Sequence, residues 1–319
     1  MRYLPNIFIK KREDSELNEK DLMYLEHKCF LSTLQMGWED KEYLLNKSVS
    51  CFFAFDKERI IGEIYAVSDY DEEEPETDDD KHFFEIIERC KKEEGAYVYS
   101  IGVVPKYGGK DIGKRLLISL LMDLKDKGFK KIFAHAKKGA SEHLFKFFDG
   151  KVLGYRENWY DTNTTYAIIE LDLEPLILSN PQPYKQENGY DCGLACLETV
   201  LNYRGIKYDI KKVSADSGIT KEGVRFSGII QALSEFDTKI ALLKDVDDLV
   251  FRISMGKVCI ICVLSPGCYE GHYLIMTGIG EESLYCFDVS LALFGRMSYE
   301  ELNRVWYNNI TKSKLGVAI

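Results

Sequence analysis

The sequence predicts two domains, a mixed α/β domain followed by an α+β domain. The chain has 319 residues, 45% of them apolar, which is enough to form two hydrophobic cores. Three of its seven prolines fall within residues 175–183. Each proline restricts the residue before it to extended geometry, so this segment is predicted to be a linker. We therefore expect a first domain at 1–174 and a second at 184–319.

The first domain is predicted to alternate strands and helices, because its apolar residues switch between a period of two and a helical period. In order, the predicted elements are a strand at 7–11, helices within 19–45, strands at 51–56 and 59–67, a helix around 83–92, a strand at 96–104, a helix at 114–127, and strands near 131–135 and 165–173. This order predicts a mixed sheet with helices.

The second domain is predicted to form helices first and a sheet afterwards. A helix follows Asp191 and another spans about 225–236, whereas strands are expected at 258–264, 272–278 and 284–289. Segregated helices and strands are typical of an α+β domain.

Composition favours a soluble protein of the cytoplasm. No run of 18 apolar residues is present and the N-terminus does not resemble a signal peptide, so we expect no membrane association. Nine cysteines, an odd number in a chain of this length, predict reduced thiols. The sequence leaves the oligomeric state open.

The net charge of −10 comes largely from residues 69–80, which include nine acidic side chains. We interpret this run as a solvated acidic loop, with a docking site for a basic peptide as the alternative. No basic cluster is interleaved with aromatic residues, so we predict no nucleic-acid partner.

Cys192 lies at the start of a predicted helix. A polar, glycine-containing turn at 186–191 precedes it, and apolar side chains then share one helical face until Gly205. Unpaired N–H groups and the positive end of the helix dipole stabilise a thiolate in a first helical turn. The Cys192 N–H and the Gln186 amide could both donate to an oxyanion. We predict Cys192 as a nucleophile and Gln186 as its oxyanion support.

His272 is the single histidine between residues 145 and 319, and a thiol nucleophile needs a base. It begins a strand that turns near Gly280 and returns towards Asp288, which should bring this carboxylate close to the imidazole. We predict a triad of Cys192, His272 and Asp288. Taken singly, a cysteine at a helix start is more often a small buried residue, and a lone histidine more often structural.

The second domain resembles the double-glycine leader peptidases, papain-like enzymes usually fused to bacteriocin exporters. The resemblance rests on residues 186–195, the segment Gly271-His272-Tyr273, Asp288, and residues 298–302 before Trp306. It implies a cysteine peptidase that cuts a leader peptide after a pair of small residues. Asp288 is followed by Val289-Ser290, where Asn-Asp-Pro-like sequence is common in that family.

The other cysteines do not predict a metal site. Cys259 and Cys262 lie three residues apart in one apolar strand and so point to opposite faces, which favours core packing. Cys196, one helical turn after Cys192, is interpreted as a buried helix residue or a resolving thiol, and Cys268 has no assigned role.

A glycine-rich turn at 108–113 connects a strand of the first domain to a helix. The order strand, glycine-rich loop and helix is typical of an anion-binding site at a helix N-terminus. A turn of this kind is a purely structural loop equally often.

This segment, from Val104 to Leu117, resembles the acyl-coenzyme A binding segment of the GNAT acyltransferases. The resemblance extends over about 5–173 and implies a GNAT-like domain that binds acetyl-CoA or another acyl-CoA. It assigns the cofactor to Ile101, Val103, Gly108, Gly109, Lys110, Asp111, Ile112, Gly113 and Lys114.

Three residues depart from the GNAT pattern: Gly108 replaces a usual Arg or Gln, Asp111 a usual glycine, and Phe145 a tyrosine acid. Phe145 cannot donate a proton.

Taken together, the two resemblances imply a bifunctional thiol peptidase and N-acyltransferase that acts on a peptide or protein. The alternatives are a Cys192-dependent acyltransferase or deamidase, and a GNAT-like half that only binds peptide.

Overall fold

The computed structural model describes residues 7–14, 17–71, 75–182, 184–236, 238–265, 271–308, 310–311 and 313–319. The chain divides into two compact units between Leu176 and Ile177. This point lies inside the segment that the sequence predicts as the linker. Within the described residues, no helix is both long and apolar enough to cross a membrane.

The N-terminal unit is built on one mixed sheet with the strand order β1-β2-β3-β4-β5-β7-β6. Its strands are β1 (Ile7–Lys11), β2 (Ser50–Asp56), β3 (Arg59–Val67), β4 (Gly95–Val103), β5 (Lys131–Lys137), β6 (Lys151–Arg156) and β7 (Tyr166–Asp172). Strands β4 and β5 are parallel and the other neighbours antiparallel. The predicted mixed sheet is confirmed, and β6 is a strand that the sequence analysis did not predict.

The helices of this unit are α1 (Glu19–Cys29), α2 (Trp38–Lys47), α3 (Asp78–Lys92), α4 (Ile112–Asp126) and α5 (Ala140–Phe147). The helical stretch predicted within 19–45 is two helices separated by a 3-10 turn at Ser32–Leu34.

Helix α3 begins earlier than predicted, so the last residues of the acidic run are helical. Thr77 and Asp80 form a reciprocal capping box, in which the Thr77 side chain accepts from the Asp80 N–H and the Asp80 carboxylate accepts from the Thr77 N–H. Acidic residues in a first helical turn also interact favourably with the helix dipole. Residues 72–74 of the predicted loop lie outside the described residues.

Strands β4 and β5 pair only where Gly95–Val98 meets residues 131–134. Beyond this point no pairing between them is present among the described residues, although both strands continue. The separation of two parallel neighbours opens the sheet, and the pocket described below lies there.

The C-terminal unit contains a second sheet with the order β13-β12-β11-β10-β14-β9, and β8 pairs with β11. The strands are β8 (Ile177–Leu178), β9 (Ala241–Leu242), β10 (Cys259–Val263), β11 (His272–Ile279), β12 (Ser283–Asp288), β13 (Leu293–Ser298) and β14 (Leu315–Ala318). The helices are α6 (Cys192–Tyr203), α7 (Ile210–Asp216), α8 (Phe226–Ser234), α9 (Val246–Ser254) and α10 (Tyr299–Val305). Four helices, α6 to α9, precede the longer strands that begin with β10, which confirms the predicted α+β arrangement.

Strand β8 places part of the predicted linker in this sheet. Ile177 and Leu178 pair with Ile279 and Gly278, and the Ser179 N–H donates to the Thr277 carbonyl at 2.7 Å. A Cβ at Gly278 would lie 2.5 Å from the Ile177 oxygen, so only glycine allows this approach.

Candidate functional site

The turn before Cys192 is organised by Asp191, whose side chain is fully buried. Its carboxylate accepts from the backbone N–H groups of Asn188 at 3.0 Å and Glu187 at 3.2 Å. These bonds fold residues 187–191 back on the start of α6, which begins at Cys192 as predicted. Sequence reasoning missed this role of Asp191, although an acidic residue next to a helix start indicates local hydrogen bonding to backbone.

Gly193 allows α6 to pack closely on its neighbours. A Cβ at this position would lie 2.9 Å from the Val224 Cβ. Real side chains do not approach so closely, so packing requires glycine directly after Cys192. Cys192 itself is half-buried and forms no disulfide.

His272 is brought to Cys192 and Asp288 by the β11–β12 pair. Leu274 lies opposite Asp288 in the antiparallel register, so His272 is a diagonal neighbour of that carboxylate. The His272 Nε2 lies 2.8 Å from the Asp288 Oδ1, and the imidazole lies close enough to Cys192 for this residue to raise the pKa of His272. Because Nε2 faces Asp288, Nδ1 is the ring nitrogen left for Cys192.

The protonation of His272 and Asp288 follows from these contacts. Burial opposes charge on His272, but its interactions with Asp288 and Cys192 outweigh burial and raise the pKa of His272 to about 10. Burial likewise opposes charge on Asp288, but bonds with His272 and Ser290 lower the pKa of Asp288 to about 2. At neutral pH the site therefore holds an imidazolium between the Cys192 sulfur and the Asp288 carboxylate, an arrangement that favours the reactive thiolate.

Ser290 holds Asp288 in place. Its backbone N–H and its hydroxyl both donate to Asp288 Oδ1, at 2.7 Å and 2.6 Å. The sequence analysis noted Val289-Ser290 only as a departure from the family pattern. Aspartate side chains commonly accept a hydrogen bond from the backbone two residues later, so this contact of Ser290 could have been predicted from the sequence.

Gln186 lies beside the strand end that carries Asp288, since its N–H donates to the Val289 carbonyl at 3.0 Å. Its side-chain Nε2 donates to the Asn188 carbonyl at 2.9 Å. Its Oε1 is shielded from water and has no hydrogen-bond partner among the described residues. The amide therefore keeps one Nε2 hydrogen for a further acceptor.

The remaining cysteines of this unit that the structure describes are buried. Cys259 and Cys262 are 0% and 1% exposed, which confirms the prediction of core packing. Cys196 is also buried, its thiol donates to the Tyr273 carbonyl at 3.6 Å, and burial raises its pKa. Cys268 lies outside the described residues.

In the N-terminal unit, the glycine turn between β4 and α4 is exposed from Gly108 to Lys110. Gly109 has a φ of +72° and nothing near the position of a Cβ, so a ligand can approach its backbone. Asp111 precedes the helix with a φ of 54°. Its carboxylate lies 3.2 Å from the Lys114 Nζ, so an ammonium compensates the charge that would oppose an anion here. The turn, with its lysines and the helix start, fits a phosphate group.

A pocket of about 790 Å³ opens where β4 and β5 separate. Its lining includes Ile101 but not Val103 or the turn at 108–114. Aromatic side chains form much of its wall: Tyr70, Phe83, Phe84, Tyr97, Tyr99, Phe145, Trp159, Tyr160 and Tyr166. Phe145, which replaces the tyrosine acid of the GNAT pattern, lies in this wall and has no proton to donate.

Sequence reasoning missed the imidazole in this pocket. His135 lines it, stacks on Trp159 with ring centroids 4.0 Å apart, and its Nδ1 lies 2.8 Å from the Tyr97 hydroxyl. Tyr97 and His135 lie on strands that are far apart in sequence, so only the fold brings them together. Among the described residues, no group of three or more His, Cys, Asp or Glu side chains is placed to hold a metal ion.

Comparison with known families divides the chain in the same way. Residues 19–155 match the acetyltransferase (GNAT) family, and residues 181–313 match the peptidase C39 family. None of the curated proteins matches the chain.

Several solved structures are similar to one half or the other. The peptidase domain of Streptococcus ComA, a bi-functional ABC transporter involved in a quorum-sensing pathway, is 23% identical over 42% of this chain and 93% of its own, with a TM-score of 0.36. An N-acetyltransferase from Staphylococcus aureus is 19% identical over 53% and 99%, with a TM-score of 0.39. A GNAT family acetyltransferase from Elizabethkingia anophelis with acetyl-CoA bound is 15% identical over 52% and 98%, with a TM-score of 0.34.

The family matches confirm both resemblances and the enzyme classes predicted from them, a cysteine peptidase and an N-acyltransferase. They imply peptide or protein substrates and, for the GNAT part, acyl-CoA binding in general. The chain thus combines a segment at 19–155 that matches the acetyltransferase (GNAT) family with a segment at 181–313 that matches the peptidase C39 family.

Proposed function

We propose that the C-terminal unit is a thiol peptidase in which Cys192 attacks a peptide carbonyl. The observation that carries this proposal is the position of His272, which lies 2.8 Å from the Asp288 carboxylate and whose pKa is raised by both Asp288 and Cys192. Such an order of thiol, imidazole and carboxylate meets the requirement for an activated nucleophile.

The reaction proceeds through an acyl-enzyme. The Cys192 thiolate forms a C–S bond to the carbonyl carbon, and the negative charge on oxygen is met by the Cys192 N–H and the Gln186 amide. His272 then gives its proton to the leaving amine as the C–N bond breaks. Water, deprotonated by His272, cleaves the thioester and returns free Cys192 and a carboxylic acid. Asp288, held by Ser290, keeps the imidazole oriented throughout.

The substrate that we propose is a leader-type peptide with a pair of small residues before the cleaved bond, in the reducing environment of the cytoplasm. No disulfide joins any two of the cysteines that the structure describes, which fits a reducing compartment.

Hydrolysis of a fluorogenic peptide ending in Gly-Gly before the reporter tests this proposal. We expect release of the reporter by the intact chain, loss of at least about 100-fold in Cys192→Ala, as for removal of a nucleophile, and near-normal rates in Cys196→Ser. Equal rates in the Cys192 and Cys196 variants would contradict the proposal. Transfer of the acyl group to an added amine, or ammonia release from a glutamine peptide, would instead identify an acyltransferase or a deamidase.

We further propose that the N-terminal unit transfers an acyl group from acetyl-CoA or another acyl-CoA to an amine. The pocket at the separation of β4 and β5, together with the phosphate-compatible turn that follows β4, supports this second function. The cofactor would supply the acyl thioester. Backbone groups of residues 108–113 would hold its pyrophosphate, with Lys114 compensating Asp111.

Titration of the intact chain with acetyl-CoA by calorimetry tests this function. We expect saturable binding that is weakened when Gly109, open to a ligand and with positive φ, is replaced by valine. Gly128→Val is the matched control, because Gly128 also has positive φ and open space but lies at the other end of α4. An absence of binding would leave the N-terminal unit as a peptide-binding module.

A further inference from the structure

The side-chain amide of Gln186 can stabilise an oxyanion in only one of its two orientations. Its Nε2 must face the developing negative charge, because Oε1 in the same place would repel it. The two ends of an amide are similar in size, so a hydrogen bond rather than packing has to select the orientation.

The Asn188 carbonyl is the group that makes this selection. It accepts a hydrogen bond from Gln186 Nε2 at 2.9 Å. At the other end of the amide, Oε1 is shielded from water and has no hydrogen-bond partner in the part of the chain that the structure describes. The reversed amide would place Oε1 against the carbonyl oxygen, and two acceptors repel each other. One Nε2 hydrogen therefore sets the orientation, and the other is left for the oxyanion.

This carbonyl needs a restraint from elsewhere in the turn. The next residue is Gly189, and nothing lies within 4 Å of the position that a Cβ would take there. Glycine has the widest backbone freedom of all residues, so the peptide that it shares with Asn188 is not fixed by local geometry. Both residues are exposed, so burial does not hold the peptide either.

The restraint comes from the side chain of Asp191, which is fully buried. Its Oδ1 accepts from the Asn188 N–H at 3.0 Å, and its Oδ2 accepts from the Glu187 N–H at 3.2 Å. Hydrogen bonds to a carboxylate are among the stronger ones in proteins. Because α6 begins at Cys192, these two bonds attach the turn to the helix that carries the nucleophile.

Asp191 serves the turn and not the helix. It occupies the position before α6, where aspartate commonly caps a helix, but its side chain forms no capping hydrogen bond. An asparagine would cap a helix equally well, whereas the turn needs two acceptor oxygens. Asparagine has one, and its NH₂ group would face the second backbone N–H. The hydrogen bonds of the turn therefore require a carboxylate at this position.

We propose that Asp191 is a positioning residue for the oxyanion donor. Through the turn at 187–188 it holds the Asn188 carbonyl, and this carbonyl orients the Gln186 amide. The proposal rests on the peptidase function proposed above. Formation and hydrolysis of the acyl-enzyme both pass through a tetrahedral oxyanion, so Asp191 bears on kcat whichever step limits the rate.

A double-mutant cycle with the fluorogenic Gly-Gly peptide tests this role. We expect kcat to fall at least about 100-fold in Gln186→Ala, as for loss of an oxyanion donor, and about tenfold in Asp191→Asn, with KM unchanged in both. If Asp191 acts through Gln186, the double variant should fall within about twofold of Gln186→Ala. A loss equal to the product of the two single losses, or a wild-type kcat in Asp191→Asn, would overturn the proposal.

Two controls separate positioning from general damage to the unit. Asp245→Asn changes another aspartate that accepts a backbone N–H at a helix start, 2.8 Å from the Asp248 nitrogen, and should keep the wild-type kcat. In Asp191→Asn, iodoacetamide should alkylate Cys192 at least as fast as in the wild type, because the thiol and His272 do not depend on the amide. Slower alkylation would mean that Asp191 supports the whole site, which would overturn the proposal.

Nitrogen–proton NMR of the intact chain, labelled at its glutamine side chains, tests the orientation without any substrate. Gln186→Ala identifies the signals of this amide. We expect its two Nε2 hydrogens to be well separated in the wild type, since one of them is hydrogen-bonded, and to move closer together in Asp191→Asn. Unchanged Gln186 signals in Asp191→Asn would overturn the proposal. If the wild type does not cleave the peptide, the peptidase function fails, and the NMR measurement still decides whether Asp191 orients the amide.

Discussion

Four donors converge on a single oxygen, Oδ1 of Asp288, and the longest of these bonds, from the Leu291 N–H, is 3.4 Å. His272 approaches it from β11, whereas the N–H and hydroxyl of Ser290 approach from the following turn. Hydrogen bonds to a carboxylate are among the stronger ones in proteins, and together they fix its direction. A residue that looked like a departure from a family pattern therefore has a physical role.

Replacement of Ser290 by alanine removes the hydroxyl donor and leaves the backbone donor. A hydrogen bond to a charged group contributes about 1.5–3 kcal/mol, and only part of this energy holds Asp288 in the orientation that His272 needs. We therefore expect peptide cleavage to slow by about tenfold. Ser290→Thr, which retains the hydroxyl, should recover most of the rate. Steady-state kinetics check this, and equal rates in the alanine and wild-type enzymes would contradict it.

The His272–Asp288 pair predicts how stability depends on pH. The pKa of His272 is raised from 6.5 to about 10, so its contribution is complete below pH 6.5 and is lost as pH rises through 10. The pKa of Asp288 is lowered from 3.8 to about 2, so its contribution is complete above pH 3.8 and is lost as pH falls through 2. The loss of stability in His272→Gln should be greatest between these limits, from pH 3.8 to 6.5.

Hydrogen exchange of the β11 and β12 amides in the intact chain, corrected for intrinsic rates, measures this effect. A difference between the wild type and His272→Gln that stays constant from pH 3 to pH 10 would show that the pair is not charged in the folded state.

Among the elements, β11 has the central position of the C-terminal sheet. It begins with His272, pairs with β10 and β12 along its edges, and receives β8 at its far end. Gly271, directly before it, has a φ of +121°, and a Cβ there would lie 2.6 Å from the Val263 oxygen. Glycines at both ends of this strand thus allow the close approaches that position the histidine.

Gly278→Ala should weaken the pairing of β8 with β11. The added Cβ would lie 2.5 Å from the Ile177 oxygen, so the short strand must move. Overpacking of this kind costs about 1–3 kcal/mol. Calorimetry should show a lower Tm, whereas Gly189→Ala, where nothing lies within 4 Å of the new Cβ, should not. An unchanged Tm in Gly278→Ala would mean that β8 is dispensable.

The acidic run also has a structural role at the scale of elements. Asp79 on α3 accepts from the Arg156 guanidinium at 2.7 Å and from the Tyr160 N–H at 2.8 Å. Tyr160 has a φ of 44°, which is uncommon for a residue other than glycine. These contacts hold a strained turn that places Trp159 against His135, so part of the run that was interpreted as a solvated loop supports the pocket wall.

For the whole molecule, the sequence predicted what is local. The onset of α6 at Cys192 and the hairpin that returns to Asp288 depend on a few consecutive residues, and both are found where they were expected. The position of β14, which pairs with β10 from the end of the chain, and the meeting of Tyr97, His135 and His82 depend on distant segments. Periodicity along the chain carries no information about such pairings.

The division of the chain also yields a prediction for the whole molecule. Because β8 belongs to the C-terminal sheet, a fragment of residues 177–319 should unfold cooperatively, whereas one of residues 184–319 should be less stable. Its single tryptophan, Trp306, is buried and reports on the transition. Equal urea midpoints for the two fragments would place the boundary at the end of the proline-rich segment.

The pairing of Cys192 with His272 is the central claim, and the rate of alkylation of Cys192 by iodoacetamide tests it most directly. Mass spectrometry of the intact chain, in the wild type and in His272→Ala, gives this rate at each pH. We predict that Cys192 is alkylated faster than every other cysteine at pH 7. In His272→Ala this advantage should disappear, and the alkylation rate should rise only at the higher pH at which the thiol ionises without a neighbouring imidazolium. Labelling of Cys192 no faster than that of Cys29, in both proteins, would contradict the account.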